Sequence, residues 1–114
     1  MKIIINNERP KSWNEYYAGK HWSIRATEAE RVHQLIQYMS KKGIFVGQVD
    51  IVMTVYFKNR PLDADNIASK FYIDGLKGRV IEDDNPKYVR SVKTVSLVDK
   101  ENPRVEIELM EVES

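Results

Sequence analysis

The sequence predicts an α+β fold in a single domain, with about two helices packed on a four-stranded mixed sheet in the order β-α-β-α-β-β. Three observations predict it. Apolar residues recur at helical spacing through residues 29–39. Val49, Ile51, Met53, Val55 and Phe57 alternate without a miss, as a strand with one buried face does. Two further strand-like stretches, residues 88–98 and 104–112, close the chain. A length of 114 residues assigns all of it, residues 1–114, to one domain.

The elements follow in chain order. Residues 2–6 read as the first strand. Residues 7–26 read as a long loop broken by Pro10 and Gly19. Thr27 with Glu30 fits a capping box, so the first helix is expected to start there. Ala29, Val32, Leu35, Ile36 and Met39 form its apolar face, Lys41 and Lys42 its last turn, and Gly43 its stop. The central strand follows, with Val52 and Tyr56 on its second face, and Pro61 ends it. A second helix is expected over residues 64–77, with Ile67, Phe71 and Leu76 inward and Gly78 closing it. The turn-rich run Asp99-Lys100-Glu101-Asn102-Pro103 predicts that the last two strands form a hairpin.

Composition narrows the function. The chain is 42% hydrophobic and 31% charged, with two Trp, six Tyr and three Phe, enough apolar surface for a folded core. Cysteine is absent, which excludes disulfides, thiolate metal sites and a Cys nucleophile. No apolar run approaches the ~20 residues of a membrane span, and the first residues are too short for a signal peptide, so a cytoplasmic protein is expected. No Gly-rich phosphate loop supports a nucleotide cofactor, and no serine sits in a nucleophile elbow. The net charge of +1 conceals an asymmetry. Residues 1–60 carry ten Lys/Arg against five Asp/Glu, and residues 61–114 carry eight against twelve. One half can face a polyanion while the other supplies acids.

The acids fall into two groups. Asp63 and Asp65, in Arg60-Pro61-Leu62-Asp63-Ala64-Asp65-Asn66, leave the central strand two residues apart and share a side if the backbone is extended there. Capping of the second helix is the simpler role for either. Glu82-Asp83-Asp84 stands in the short loop before the third strand, where a solvated turn is the simpler role. Carboxylates from two segments meeting at one sheet edge would make a site for Mg²⁺ or Mn²⁺, hard ions that prefer oxygen. Such a site activates water and stabilises an in-line phosphodiester displacement.

These residues carry a resemblance. Asp63-Ala64-Asp65-Asn66-Ile67, Lys70, Asp74-Gly75-Leu76, Val80-Ile81-Glu82-Asp83-Asp84 and Lys87-Tyr88-Val89 resemble the RusA-like Holliday-junction resolvases, small endonucleases typical of phage and prophage. The resemblance implies a homodimer that binds branched DNA, the four-way junction, and nicks two opposed strands with Mg²⁺ in DNA recombination and repair. Mn²⁺ is a plausible substitute. By position, Asp63, Asp65 and Asp84 match the family's essential acids and metal ligands, and Asp83 the neighbouring acid. The family's lysine stands four residues after the second motif Asp. Here Ser69 holds that place and Lys70 the next, so Lys70 is the candidate catalytic lysine, with an i, i+4 ion pair to Asp74 as its simpler role.

The basic, aromatic stretch before the first helix is the candidate DNA contact. Lys11, Lys20 and Arg25 can meet phosphates, and Trp13, Tyr17 and Trp22, with Tyr16, can stack on unpaired bases. His21 lies among them. The simpler role for the aromatics is to plug the core edge, and His33 reads as structural. A function of a different class is a catalytically inactive branched-DNA-binding or protein-interaction module of the same fold.

Overall fold

The computed structural model describes residues 1–17, 22–40, 43, 45 and 47–112, without the side chains of residues 16, 17 and 22–24. It contains β1 (Lys2–Asn6), α1 (Trp13–Tyr17), α2 (Trp22–Met39), β2 (Val49–Phe57), a 3₁₀ turn (Ala64–Asn66), α3 (Lys70–Leu76), β3 (Val89–Val98) and β4 (Arg104–Glu111). The α+β class, the four-stranded mixed sheet and the strand boundaries agree with the sequence to within a residue or two. No helix among the described residues is long and apolar enough to cross a membrane.

The sheet order is β1-β4-β2-β3. β4 runs antiparallel to β1 and β2, whereas β3 runs parallel to β2. The expected hairpin is therefore wrong: β3 and β4 flank β2 and do not pair. The reason lies in β2. Its backbone N–H and C=O groups point to both edges, and a buried strand satisfies them with a neighbour on each, β3 on one edge and β4 on the other. The connection between β3 and β4 steps across its end, where Asp99 N–H donates to the carbonyl of Phe57 at 2.9 Å.

The core lies on one face of the sheet. Ile3 and Ile5 of β1, Val105, Ile107 and Leu109 of β4 and the odd residues of β2 pack against Val32 and Ile36 of α2 and Tyr72, Ile73 and Leu76 of α3. The other face is partly open, with Ile4 and Met110 about two-fifths exposed. There the Arg104 guanidinium lies 3.8 Å from the Tyr56 ring centre and pairs with Glu106 and Asp99.

Helix starts differ from the sequence expectation. The capping box forms at Ser12 and Glu15, where Glu15 N–H donates to Ser12 Oγ at 3.0 Å and Ser12 N–H to Glu15 Oε1 at 3.3 Å. α2 begins at Trp22, so Thr27 and Glu30 lie inside it; its eighteen residues contain no Gly or Pro to stop it. The second expected helix divides. After the 3₁₀ turn, Ile67 is extended and bridges to Ser12, and Ala68 N–H donates to the carbonyl of Lys11. Pairing with residues 11–12 holds this stretch out of the helix until Ser69. Gly75 is required by the packing of α3 on α2: a Cβ there would lie 2.8 Å from Ile36 Cβ.

One buried polar network ties these pieces together. Glu8, 9% exposed, accepts both terminal nitrogens of Arg31 at 3.2 and 3.0 Å and the Tyr72 hydroxyl. It fixes the segment after β1 to α2 and α3. A fork-to-fork pair with a third donor leaves no carboxylate oxygen unsatisfied.

Candidate active site

The Asp63 segment is placed by its flanks. After β2 the chain turns through Arg60, whose φ of +48° is uncommon outside glycine. Arg9 braces that turn, stacking 4.8 Å from the Phe57 ring centre and donating to the carbonyls of Asn59 and Arg60 at 3.4 and 3.2 Å. Beyond Pro61, Ser96 Oγ donates to the carbonyl of Leu62 at 2.5 Å and Thr94 Oγ1 to that of Ala64 at 2.7 Å. Both hydroxyls project from the core face of β3, because Thr94 and Ser96 stand in register with buried Met53 and Val55. The segment thus runs back along β3 toward the end at which Asp83 and Asp84 enter it.

Asp63 is extended, but Ala64–Asn66 forms a 3₁₀ turn, so the backbone is not the continuous strand that two-residue spacing assumes. Asp63 makes no side-chain cap bond either. Both Asp63 and Asp65 are exposed and have no polar partner among the described residues.

The second acidic group is organised by a lysine that the sequence did not single out. Lys77, the C-cap of α3, places its ammonium 3.2 Å from Asp84 Oδ2, 3.6 Å from Asp74 Oδ1 and 3.8 Å from Asp83 Oδ1. The Asp84 carboxylate, with Asp74 and Asp83 behind it, holds this ammonium above the ordinary lysine range. Asp83 Oδ1 also accepts the Asp84 N–H at 2.8 Å, which fixes the loop. Val80 and Ile81 are buried just before it and anchor it to the core.

Lys70 opens α3 and is 57% exposed; its ammonium lies 3.2 Å from Asp74 Oδ2, the i, i+4 pair. Because the helix begins at Lys70 and a 3₁₀ turn and an extended residue precede it, helical spacing from Asp65 does not decide where Lys70 faces. Asp74 Oδ1 is shielded from water and accepts no hydrogen bond among the described residues; Lys77 lies 3.6 Å from it, while Lys70 pairs with the other oxygen.

The N-terminal candidates divide. Lys11 and Ser12 pair with Ile67 and Ala68, directly after the Asp65-Asn66 step, so this stretch and the acidic motif are structural neighbours. Lys11 forms a 3.9 Å ion pair with Glu15. Trp13 opens α1 and Arg25 lies on α2, both half-buried and engaged. Tyr17 lies on α1 with its side chain undescribed, and Lys20 and His21 lie outside the described residues. Sequence reasoning missed a cleft of about 520 Å³ at the end of β2, lined by Arg9, Tyr56, Phe57, Lys58, Arg60 and Pro103 among others. Only the excess of positive charge in residues 1–60 hinted at it.

The hard carboxylate oxygens of Asp63 and Asp65, without partners among the described residues, are of the type that Mg²⁺ or Mn²⁺ takes as ligands. Among the described residues no three Asp, Glu or His side chains already form a cage.

A family model described as Endodeoxyribonuclease RusA matches residues 9–110. The match takes in every element described above except β1 and the last residue of β4. No curated protein matches the chain significantly.

Proposed function

Because the chain belongs to the RusA endodeoxyribonuclease family, we propose that it resolves four-way DNA junctions by paired nicks, as a homodimer, using a divalent cation. The family implies junction-resolving endonuclease activity, and nucleases of this kind are generally divalent-metal dependent. The observation that carries the proposal is the pair of exposed carboxylates at Asp63 and Asp65, without a polar partner among the described residues, on a segment that two hydroxyls of β3 hold by the carbonyls of Leu62 and Ala64. Exposed acids without partners do nothing for the fold, and next to DNA they would only repel phosphate.

Asp63, Asp65 and Asp84 are the proposed metal ligands, with Asp83 beside them. A bound Mg²⁺ supplies Lewis-acid stabilisation and a water of lowered pKa. The chain supplies the rest. Thr94 and Ser96 hold the Asp63 segment in place, and Lys70, exposed at the head of α3 and paired with Asp74, is proposed to meet the phosphate. Lys11, Trp13, Tyr17, Lys20, His21 and Arg25 are proposed to engage the junction, and Lys58 and Arg60 extend the basic surface beside the acids. A two-fold dimer presents two such sites to the two opposed strands of a two-fold junction.

Asp65→Asn tests the assignment. Cleavage of a synthetic junction should be abolished, while the fold changes by no more than about 0.5 kcal/mol because Asp65 is exposed and has no polar partner among the described residues. Junction binding should hold or tighten by up to about threefold, the effect of one charge some 7 Å from phosphate in water. Cleavage by this variant near the wild-type rate would refute it. Junction binding without cleavage by the wild type, in Mg²⁺ and in Mn²⁺, would instead identify an inactive binding module.

A further inference from the structure

We infer that Lys77 is the site's built-in counter-ion: its ammonium holds Asp84 in the metal-free protein and has to leave that carboxylate before a divalent cation can take it as a ligand. This rests on the assignment of Asp84 as a metal ligand.

Three carboxylates from two elements meet one ammonium. Asp74 comes from α3, and Asp83 and Asp84 from the loop before β3, all within 3.8 Å of Lys77 Nζ. Like charges drawn this close repel unless a cation lies between them. Lys77 is that cation; among the described residues no other basic group touches Asp83 or Asp84. Lys70 cannot replace it, since its ammonium is on the far oxygen of Asp74. Asp74 shares its charge between the two lysines, and among the described residues Lys77 is the cation beside its shielded Oδ1, which accepts no hydrogen bond.

The geometry also allows release. Lys77 caps α3, where the helical backbone ends at φ −61° and ψ 134°, and 37% of its side chain is exposed. Its flexible stem can swing the ammonium from the carboxylate into water. A divalent cation that takes Asp84 brings twice the charge, so the exchange keeps the acids neutralised. Lys77 therefore sets a threshold: it keeps the loop folded without metal and weakens metal binding by competition. Removing an acid has the opposite signature, because the loss of a carboxylate weakens metal binding.

Calorimetric titration of the full chain with Mn²⁺, comparing wild type with Lys77→Gln, Lys77→Arg and Asp84→Asn, tests this. Lys77→Gln is expected to bind Mn²⁺ about three- to tenfold more tightly, the range that partly exposed ion pairs acting together can supply. Lys77→Arg, which keeps the charge, is expected within about twofold of wild type. Unchanged or weaker binding by Lys77→Gln, alongside weaker binding by Asp84→Asn, would overturn the competition while leaving Asp84 a ligand. Tighter binding by both lysine variants would trace the effect to packing and overturn it too. Asp84→Asn binding like wild type would overturn the ligand assignment on which the inference rests.

Discussion

Two hydroxyls on β3 are predicted to control the geometry of the acids. The perturbation is the double substitution Thr94→Val with Ser96→Ala, which removes the donors to the carbonyls of Ala64 and Leu62 at 2.7 and 2.5 Å. Valine has the shape of threonine, so β3 keeps its register with β2. Each lost bond costs about 0.5–1.5 kcal/mol net, hence about 1–3 kcal/mol together, because these carbonyls can partly turn to water. For a domain near 100 residues that is a fall of roughly 5–15 °C in Tm. The effect on chemistry should be larger than on stability. The two bonds flank Asp63, while the pairing of Ile67 and Ala68 with residues 11–12 holds only the far side of Asp65, and a misplacement of about 1 Å can cost on the order of 100-fold in rate. The assay is single-turnover junction cleavage well below the lowered Tm, with thermal melting by circular dichroism in parallel. A lowered Tm with cleavage within about twofold of wild type would refute the idea that these bonds position the acids.

Two further outcomes follow from packing and charge. Gly75→Ala should destabilise by about 1–2 kcal/mol in chemical denaturation, because the added Cβ meets Ile36 Cβ at 2.8 Å and the overpacking outweighs alanine's better helix propensity; a gain in stability would mean that α2 and α3 separate freely. The Arg31 guanidinium holds the Glu28 carboxyl below its ordinary value of 4.5, so its stabilisation is present above that pH and is lost as pH falls through the lower, folded value. Glu28→Gln should therefore be less stable than wild type at neutral pH, with the gap in Tm closing as the pH is lowered below 4.5; a gap independent of pH would place the effect in packing.

The strands were legible because their periodicity is a local property. The alternation from Val49 to Phe57 reports burial directly, and β2 is the central strand it implies. Pairing was not legible: the turn residues 99–103 suggest a hairpin, but the demand of β2 for two neighbours places it between β3 and β4. The helix boundaries failed for a similar reason. Of two Ser/Thr-x-x-Glu patterns, Ser12 with Glu15 caps the short α1, while Thr27 with Glu30 falls inside α2, and the Ser12 segment is also paired with Ile67, a contact between residues 55 apart in sequence. At the site, the spacing of Asp63, Asp65, Asp83 and Asp84 was legible, and so was the family. Lys77 was not, because its partners lie on two elements and only the Asp74 contact has a helical spacing. Arg9, which braces the turn at Asn59 and Arg60, gave no signal at all.

Cleavage of a synthetic four-way junction in Mg²⁺, by wild type and by Asp84→Asn, with a linear duplex of the same sequence beside it, tests the central claim most directly. Paired symmetric nicks in the junction alone, absent with Asp84→Asn, are the predicted result. Equal cutting of the linear duplex, or nicks that survive the substitution, would contradict it.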